Sequence, residues 1–419
     1  MYADRCLVAL GVSWSSMTSN SGDKNEPSDS KRLVPISKVE SLGPQYRLVL
    51  ESVVGELGKD YHRFVFDGTV VINYRGVASS QILVTISPSS DVKVAWLMVD
   101  IGSGDHVDQL IALSHSLSGT RWNDSCHYGA TLDGHPQHSI RDMLLRVVSE
   151  LEGIEYAKLE EEIKIIHDFK IFEFRGVHPG LDGAEGFVSS SSNSLELYGL
   201  LTGDEGWRDV PISRAANVIE SRWSSREFVQ VMAYGRCVVM LNTKSALYKK
   251  RAKDFFSTYF AGDSGYFQAE YDLAGLDHGV LFSCESVLHR FVEADRIVSD
   301  IAEAQHRRSK SPKKKSFPES RLFLRELATG KLQSARLRMR DYLARVRDSE
   351  VVEVDDMLSL IVDRSGLRRA EEAVGELAES MDQDIDRVGS FGLARLAVLG
   401  ALVGIVLAVA NVILLIGHI

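Results

Sequence analysis

The stretch Lys93 to Ile101, KVAWLMVDI, decides how the first half of the chain folds. It is the longest apolar run in a series of short β-rich segments, and it suits a buried strand. Three more segments precede it. Arg63 to Phe66 leads to Asp67-Gly68, Thr69 to Tyr74 leads to Arg75-Gly76, and Gln81 to Ile86 leads to a Ser-Pro-Ser-Ser loop. Short connections with Gly-containing turns predict an antiparallel meander rather than parallel crossovers.

Helices are predicted on both sides of these strands. Pro44 to Leu57 repeats apolar residues at spacings of three and four, as do Val107 to Leu117 and Ser139 to Leu151. Trp122 to His138 reads as a loop, Glu155 to His167 as helical, Lys170 to Phe174 as a strand and Gly176 to Ser194 as a flexible loop. Phe228 to Leu241 carries two β-rich runs around Tyr234-Gly235 and predicts a hairpin. Residues 41–241 are thus expected to form an α+β head with a mostly antiparallel sheet, as one domain or two small ones. Residues 1–40 are expected to be a disordered leader. Cys6 to Val12 is too short for a convincing signal peptide, and Thr18 to Lys31 is polar.

From Thr243 the pattern is helical. Val280, Cys284, Val287, Phe291, Ala294, Val298 and Ile301 alternate spacings of four and three, the mark of a coiled-coil or bundle seam. Residues 242–306 are therefore expected to form a helical stalk. A basic linker (307–317) and further helices (318–392) follow. Val287, Phe291, Val298 and Ile301 are the candidate oligomerisation residues of the stalk.

Leu396 to Ile416, LAVLGALVGIVLAVANVILLI, contains no charge and is long enough for a bilayer core, spanning about 31 Å as a helix. It predicts one C-terminal transmembrane anchor (393–416), inserted after synthesis because three residues follow it. Arg387 and Arg395 on its N-terminal side predict that the bulk of the chain is cytoplasmic. Gly400, Gly404, Ala408 and Asn411 form a small-residue face with one amide, suited to helix self-association. The whole layout, an α+β head, long helices and a C-terminal membrane segment, resembles CorA-type magnesium transporters. That resemblance implies an oligomeric pore. The chain differs in having one span instead of two and no Gly-Met-Asn signature after it.

A net charge of −10 with no basic, aromatic-interleaved surface excludes a general nucleic-acid binder. Cys6, Cys126, Cys237 and Cys284 form no CxxC pair and give neither a disulfide nor a zinc framework. Two stretches carry candidate chemistry. Asp100, Gly102 and Gly104 follow the KVAWLMV strand and precede a helix. They resemble the glycine-rich first loop of Rossmann-type methyltransferases, which implies a nucleoside cofactor at a strand-to-helix turn. His115, Cys126, His127, His135 and His138 gather imidazole and thiolate, ligands suited to a divalent metal such as zinc.

The leading functional expectation is a C-terminally anchored, single-span, non-enzymatic protein. It has a cytoplasmic sensing or binding head, an oligomerising helical stalk, and membrane lipids and a further protein as partners. The alternatives are a membrane pore and a membrane-anchored metal- or cofactor-dependent enzyme.

Overall fold

The computed structural model describes residues 2–15, 32–35, 62–73, 77–86, 92–105, 107–118, 129–159, 163, 166–177, 188, 190–226, 229–242, 278–310, 337–344 and 352–383. They form an α+β protein with a mixed sheet, divided into two compact units. The first takes in Met1–Glu293 and Glu350–Arg368, and the second Ala294–Ser349 and Arg369–Ile419.

The sheet of the first unit has twelve strands among the described residues. They are β1 (Tyr2–Ser15), β2 (Leu33–Pro35), β3 (His62–Phe66), β4 (Val70–Asn73), β5 (Val77–Ile86), β6 (Val92–Asp105), β7 (Gly129–Leu132), β8 (His135–Gln137), β9 (Ile166–Arg175), β10 (Arg222–Arg226), β11 (Val229–Tyr234) and β12 (Cys237–Asn242). Their order is β10-β11-β12-β9-β1-β6-β5-β4-β7-β8, with β2 joined to β3 and β3 to β5. All described pairs are antiparallel except β9 with β12. The connection between those two runs through helices and the β10–β11 pair, the crossover that parallel neighbours require.

Both faces of the sheet are buried. On one face Val8, Leu10, Val12 and Trp14 of β1 join Ala95, Leu97 and Val99 of β6 and Phe172 and Phe174 of β9 in the main core. Four helices complete that core: α1 (Val107–Ser118), α2 (Ile140–Glu152), α3 (Ser191–Thr202) and α4 (Ile212–Ile219). On the other face lie Leu7, Ala9, Val94, Trp96, Phe169, Ile171, Val238 and Met240, also buried. The first half of α5 (His278–Lys310) crosses this face. Its Glu285 meets Thr85 of β5, and its Phe291 meets His167 of β9, three strands away. After α6 (337–344), helix α7 (Val352–Ser365) covers the β10–β11 end. Strands buried on two faces read as continuous apolar runs rather than alternations, which is why Val94 to Val99, VAWLMV, is apolar throughout.

In the second unit Ala294, Ile297 and Ile301 of α5 pack with Met339 and Tyr342 of α6 and with Val374 and Met381 of α8 (367–383). Arg340 pairs with Asp382 at 2.9 Å across this small bundle.

Several expectations are corrected. The N-terminal segment is not a leader over its first fifteen residues: β1 is central in the sheet, paired with β6 and β9 over most of its length. Its apolar run was too short for a signal peptide because it is a strand. The meander also differs. β3 and β4 both lie along the same edge of β5, β3 at Leu83 to Ile86 and β4 at Val77 and Ala78, so Asp67-Gly68 joins two strands in line instead of closing a hairpin. Part of the expected loop 122–138 is the β7–β8 hairpin, closed by Asp133 and Gly134 at φ 51° and 77°, a type I′ turn. Of the segment Glu155 to His167, expected to be helical, Tyr156–Lys158 form a 3-10 turn and β9 begins at Ile166, while 160–162, 164 and 165 lie outside the described residues.

The membrane expectation is corrected as well. Among the described residues no helix is long and apolar enough to cross a membrane. The longest, α5, carries charges throughout, among them Glu285, Arg290, Glu293, Asp295 and Arg296, which hydrocarbon does not accommodate. Leu396 to Ile416 lies outside the described residues, as does the predicted helix Pro44 to Leu57. The described helices thus do not support a tail-anchored, single-pass, membrane-located chain or a pore built on it. The basic linker was expected to begin at Arg307, but α5 continues through Lys310.

One close approach tests the sheet packing. Gly11 of β1 pairs with Trp96 of β6, and a Cβ added at Gly11 would stand 2.4 Å from the indole. Gly11→Ala is expected to lower stability by about 1–3 kcal/mol through overpacking, read as a fall in the urea midpoint. Adding Trp96→Phe should recover part of that loss, and a double variant as unstable as the sum of the two singles would contradict the contact.

Candidate functional site

The polar groups buried in the first unit concentrate between α5 and the sheet. The register places Thr85, Val94, Ser13 and His167 in one row across β5, β6, β1 and β9, and residues paired in this way point to the same face. Thr85 donates its hydroxyl to Glu285 Oε1 at 2.7 Å. Ser13 Oγ donates to the His167 carbonyl at 3.4 Å, and the His167 ring lies 5.6 Å from Phe291. Arg236 places its guanidinium over the Phe291 ring, with Cζ 5.4 Å from the centroid, and pairs with Asp168 at 3.6 Å. His289 follows Glu285 by one helical turn, so the carboxylate and the imidazole share a face of α5, and both are buried. Further along β9, Arg175 Nε donates to Glu173 Oε1 at 2.6 Å in a buried pair.

This layer brings a carboxylate and two imidazoles into a slab that excludes water. Such groups are costly to bury without hydrogen bonds. Their defined effect is on α5: sliding it by one residue takes Glu285 from Thr85 and Phe291 from His167. The layer therefore fixes the register of the helix. The indole N–H of Trp96 is also buried here, with no hydrogen-bond acceptor among the described residues. A second polar node lies at the C-terminal end of α2. There Glu152 accepts from Trp14 Nε1 at 2.8 Å and pairs with Lys93 Nζ at 2.5 Å, tying the helix terminus to the β1–β6 register pair Trp14–Lys93.

Of the histidines expected as metal ligands, the described ones, His115, His135 and His138, sit at different places in the fold. His115 sits near the end of α1, where its Nε2–H donates to the Gly203 carbonyl at 2.7 Å, with Glu205 at 3.6 Å; that bond secures the C-terminal end of α3. His135 is exposed in β8, and His138 is exposed just before α2. Ser139, not a histidine, caps that helix by accepting from the Asp142 N–H at 3.0 Å. Cys126 and His127 lie outside the described residues. Among the described residues no three His, Cys, Asp or Glu side chains are grouped to hold a metal.

The glycine stretch also differs from its expectation. Asp100, Gly102 and Gly104 lie in the last part of strand β6, opposite Leu7, Cys6 and Ala3 of β1, where the pairing shifts register. The strand is antiparallel to both its neighbours, whereas a Rossmann loop leaves a parallel strand at its carboxyl end. Here the backbone serves the sheet ladder rather than a strand-to-helix turn.

Of the expected oligomerisation residues, Val287 and Phe291 are buried within the first unit and Ile301 within the second, while Val298 is 39% exposed. Gly400, Gly404, Ala408 and Asn411 lie outside the described residues. The polar partners Thr85, Glu285, His167 and His289 were not singled out from the sequence. The available signal was a Glu and a His one turn apart beside an apolar seam, which also describes an ordinary solvated helix flank. No protein-family model, no curated protein and no solved structure matches the chain.

Two measurements check the layer and its surroundings. Thr85→Val leaves a buried carboxylate short of a donor and is expected to cost about 1–3 kcal/mol. The loss should shrink in the Glu285→Gln background, and equal losses in both backgrounds would show that the two groups are not coupled. Burial pushes the Cys237 thiol up to about 12 and the Cys284 thiol well above its ordinary value. The folded state then keeps protons that the unfolded chain releases near pH 9. Stability is complete below that pH and falls as pH rises towards 12, by up to about 1.4 kcal/mol per unit for one thiol. The Cys237→Ala, Cys284→Ala double variant should lose this alkaline slope in urea titrations from pH 8 to the alkaline limit of folding.

Proposed function

We propose that this protein is a self-associating binding protein, in which the α+β unit is a sensing or binding head and the helical unit joins copies of the chain. The observation that carries this reading is the uneven burial of the α5 seam. The spacing 287, 291, 294, 298, 301 belongs to a helix that packs along its length. Within the chain, the second unit covers Ala294, Ile297 and Ile301 and leaves Val298 exposed beside them. Leu337, at the start of α6 in the same unit, is 58% exposed. Apolar side chains on a helical surface are driven to shed water, and a second copy presenting the same residues offers a self-complementary face. The finer form of the reading is a stalk in which copies pack about a shared axis through the second half of α5.

The head supplies a rigid platform. Its sheet is covered on both faces, and α5 is held in register by Thr85 and Glu285. In this reading recognition belongs to the surface and edges of the head, and valency to the helical unit.

Sedimentation velocity on the full chain tests self-association. The wild type is expected to form a defined oligomer, and Val298→Glu with Leu337→Glu to raise the dissociation constant at least tenfold. Each buried apolar side chain contributes about 1.5–3 kcal/mol, and about 1.4 kcal/mol is tenfold. A wild type that stays monomeric up to roughly 100 µM, a concentration well above ordinary oligomer affinities, would sink the reading. So would a double variant with an unchanged association profile.

A further inference from the structure

Strand β2 is short and, among the described residues, pairs with one strand, while Leu33 packs against the main core and Arg32 makes its directional contacts. Leu33, Val34 and Pro35 pair with Phe66, Val65 and Phe64 of β3, and the Arg32 carbonyl accepts from the Asp67 N–H at 2.7 Å. The Arg32 guanidinium uses each of its nitrogens separately. Nη2 meets Asp133 Oδ2 at 2.5 Å, Nη1 meets Glu150 Oε2 at 3.0 Å, and Nε donates to the Asp67 carbonyl at 2.9 Å. Its plane lies over Phe66, with Cζ 4.6 Å from the ring centroid. A lysine has no planar fork with which to match this arrangement.

The surroundings are shaped for that group. A Cβ added to Gly68 would stand 2.8 Å from Arg32 Nη2 and 2.6 Å from the Phe66 ring, so the bare glycine makes room for both. Asp133 is held in place without the arginine. It occupies the first position of the type I′ turn at φ 51°, and its Oδ1 accepts from the Thr69 N–H at 2.9 Å. Glu150 comes from α2, whose opposite face is in the core. Two carboxylates, an aromatic floor and a backbone carbonyl thus converge from three elements fixed by other contacts. Arg32, Asp133 and Glu150 remain about one-third exposed, so the place can be reached from water.

We propose that Phe66, Gly68, Asp133 and Glu150 form a receptor for an arginine-bearing extended segment, and that the chain fills it with its own Arg32–Pro35. The mode is strand addition: the β3 edge supplies backbone pairing and the arginine pocket supplies specificity. The partner is an extended peptide with an arginine followed by apolar residues, bound when the resident segment gives way. Charge agrees with this assignment. The hydrogen bond from Arg32 holds the Asp133 carboxyl below the usual carboxylate range, and the same bond raises the arginine. One positive charge against two carboxylates leaves the emptied receptor attractive to a cation. The proposal does not depend on self-association.

The test uses the full chain carrying Arg32→Ala. Its thermal midpoint is expected to fall, and methylguanidinium to restore at least half of the loss while methylammonium at the same concentration restores none. A fluorescent peptide with the sequence KRLVPI, matching residues 31–36, is expected to bind this variant at least tenfold tighter than the wild type. The peptide KALVPI, and the variant further changed at Asp133→Asn and Glu150→Gln, should each bind at least tenfold more weakly. Should Arg32→Ala not fold, Arg32→Lys keeps the charge and stem, and KRLVPI is expected to bind it at least threefold tighter than the wild type. No selective rescue by methylguanidinium, no gain in peptide binding, or equal binding of the two peptides would each overturn the proposal.

Discussion

The first unit depends on β1 being paired on both edges and buried on both faces. Its backbone joins β6 to β9, so the two halves of the sheet meet only through it among the described strands. Cys6, Val8, Leu10 and Val12 pack into the main core, while Leu7 and Ala9 point to the α5 side. A strand in this position leaves no edge group to water and no face to solvent. Each large apolar residue so buried contributes about 1.5–3 kcal/mol, and losing the strand would open a ladder on each side of it. Gly11 belongs to the same constraint. The Trp96 indole fits over β1 only where a side chain is missing.

Polar contacts then decide how the outer elements attach to that slab. Glu152 reaches Trp14 and Lys93, which fixes the end of α2 against β1 and β6. Glu285 reaches Thr85, which fixes α5 on the other face. Arg32 gathers Asp67, Asp133 and Glu150, which fixes β2 at an edge. The hairpin turn of β11 and β12 donates the Gly235 N–H to the Arg364 carbonyl at 3.0 Å, which holds the end of α7. In each case apolar burial supplies most of the stabilisation and a directional bond selects one register. The buried bonds are the more consequential ones, because an unpaired group there keeps its full desolvation cost. Arg32 is about one-third exposed to water, so its role is recognition of geometry more than stability.

Elements with one-sided periodicity were legible from the residues. The apolar positions of α2, at Ile140, Met143, Leu144, Val147 and Val148, are all in the core, and the hairpin about Tyr234-Gly235 is present. The strand Lys93 to Ile101 was legible as well, though β6 extends to Asp105. Elements decided by distant partners were misread. β1 looked like part of a leader because nothing near it in sequence pairs with it; its partners begin at Val92 and at Ile166. The Asp133-Gly134 turn carried a recognised hairpin signal, but β7 and β8 are too short to show a strand period around it. Of the candidate site residues, His115 is read by its side-chain chemistry, whereas its place near the end of α1, against the C-terminal end of α3, gives it the Gly203 carbonyl as a partner.

The sequence by itself determined the α+β class and the helical character of the described residues after β12, because composition and local periodicity act over a few residues at a time. Only the tertiary structure decided that the α5 seam is divided. Its first part lies on the sheet and its second part packs with α6 and α8. The apolar spacing is the same in both parts, and a helix stripe does not record what covers it. Tertiary structure alone also brought Arg32 to Asp133 and Glu150, residues about a hundred positions away, since a guanidinium site needs carboxylates converging in space and no spacing along the chain encodes that convergence.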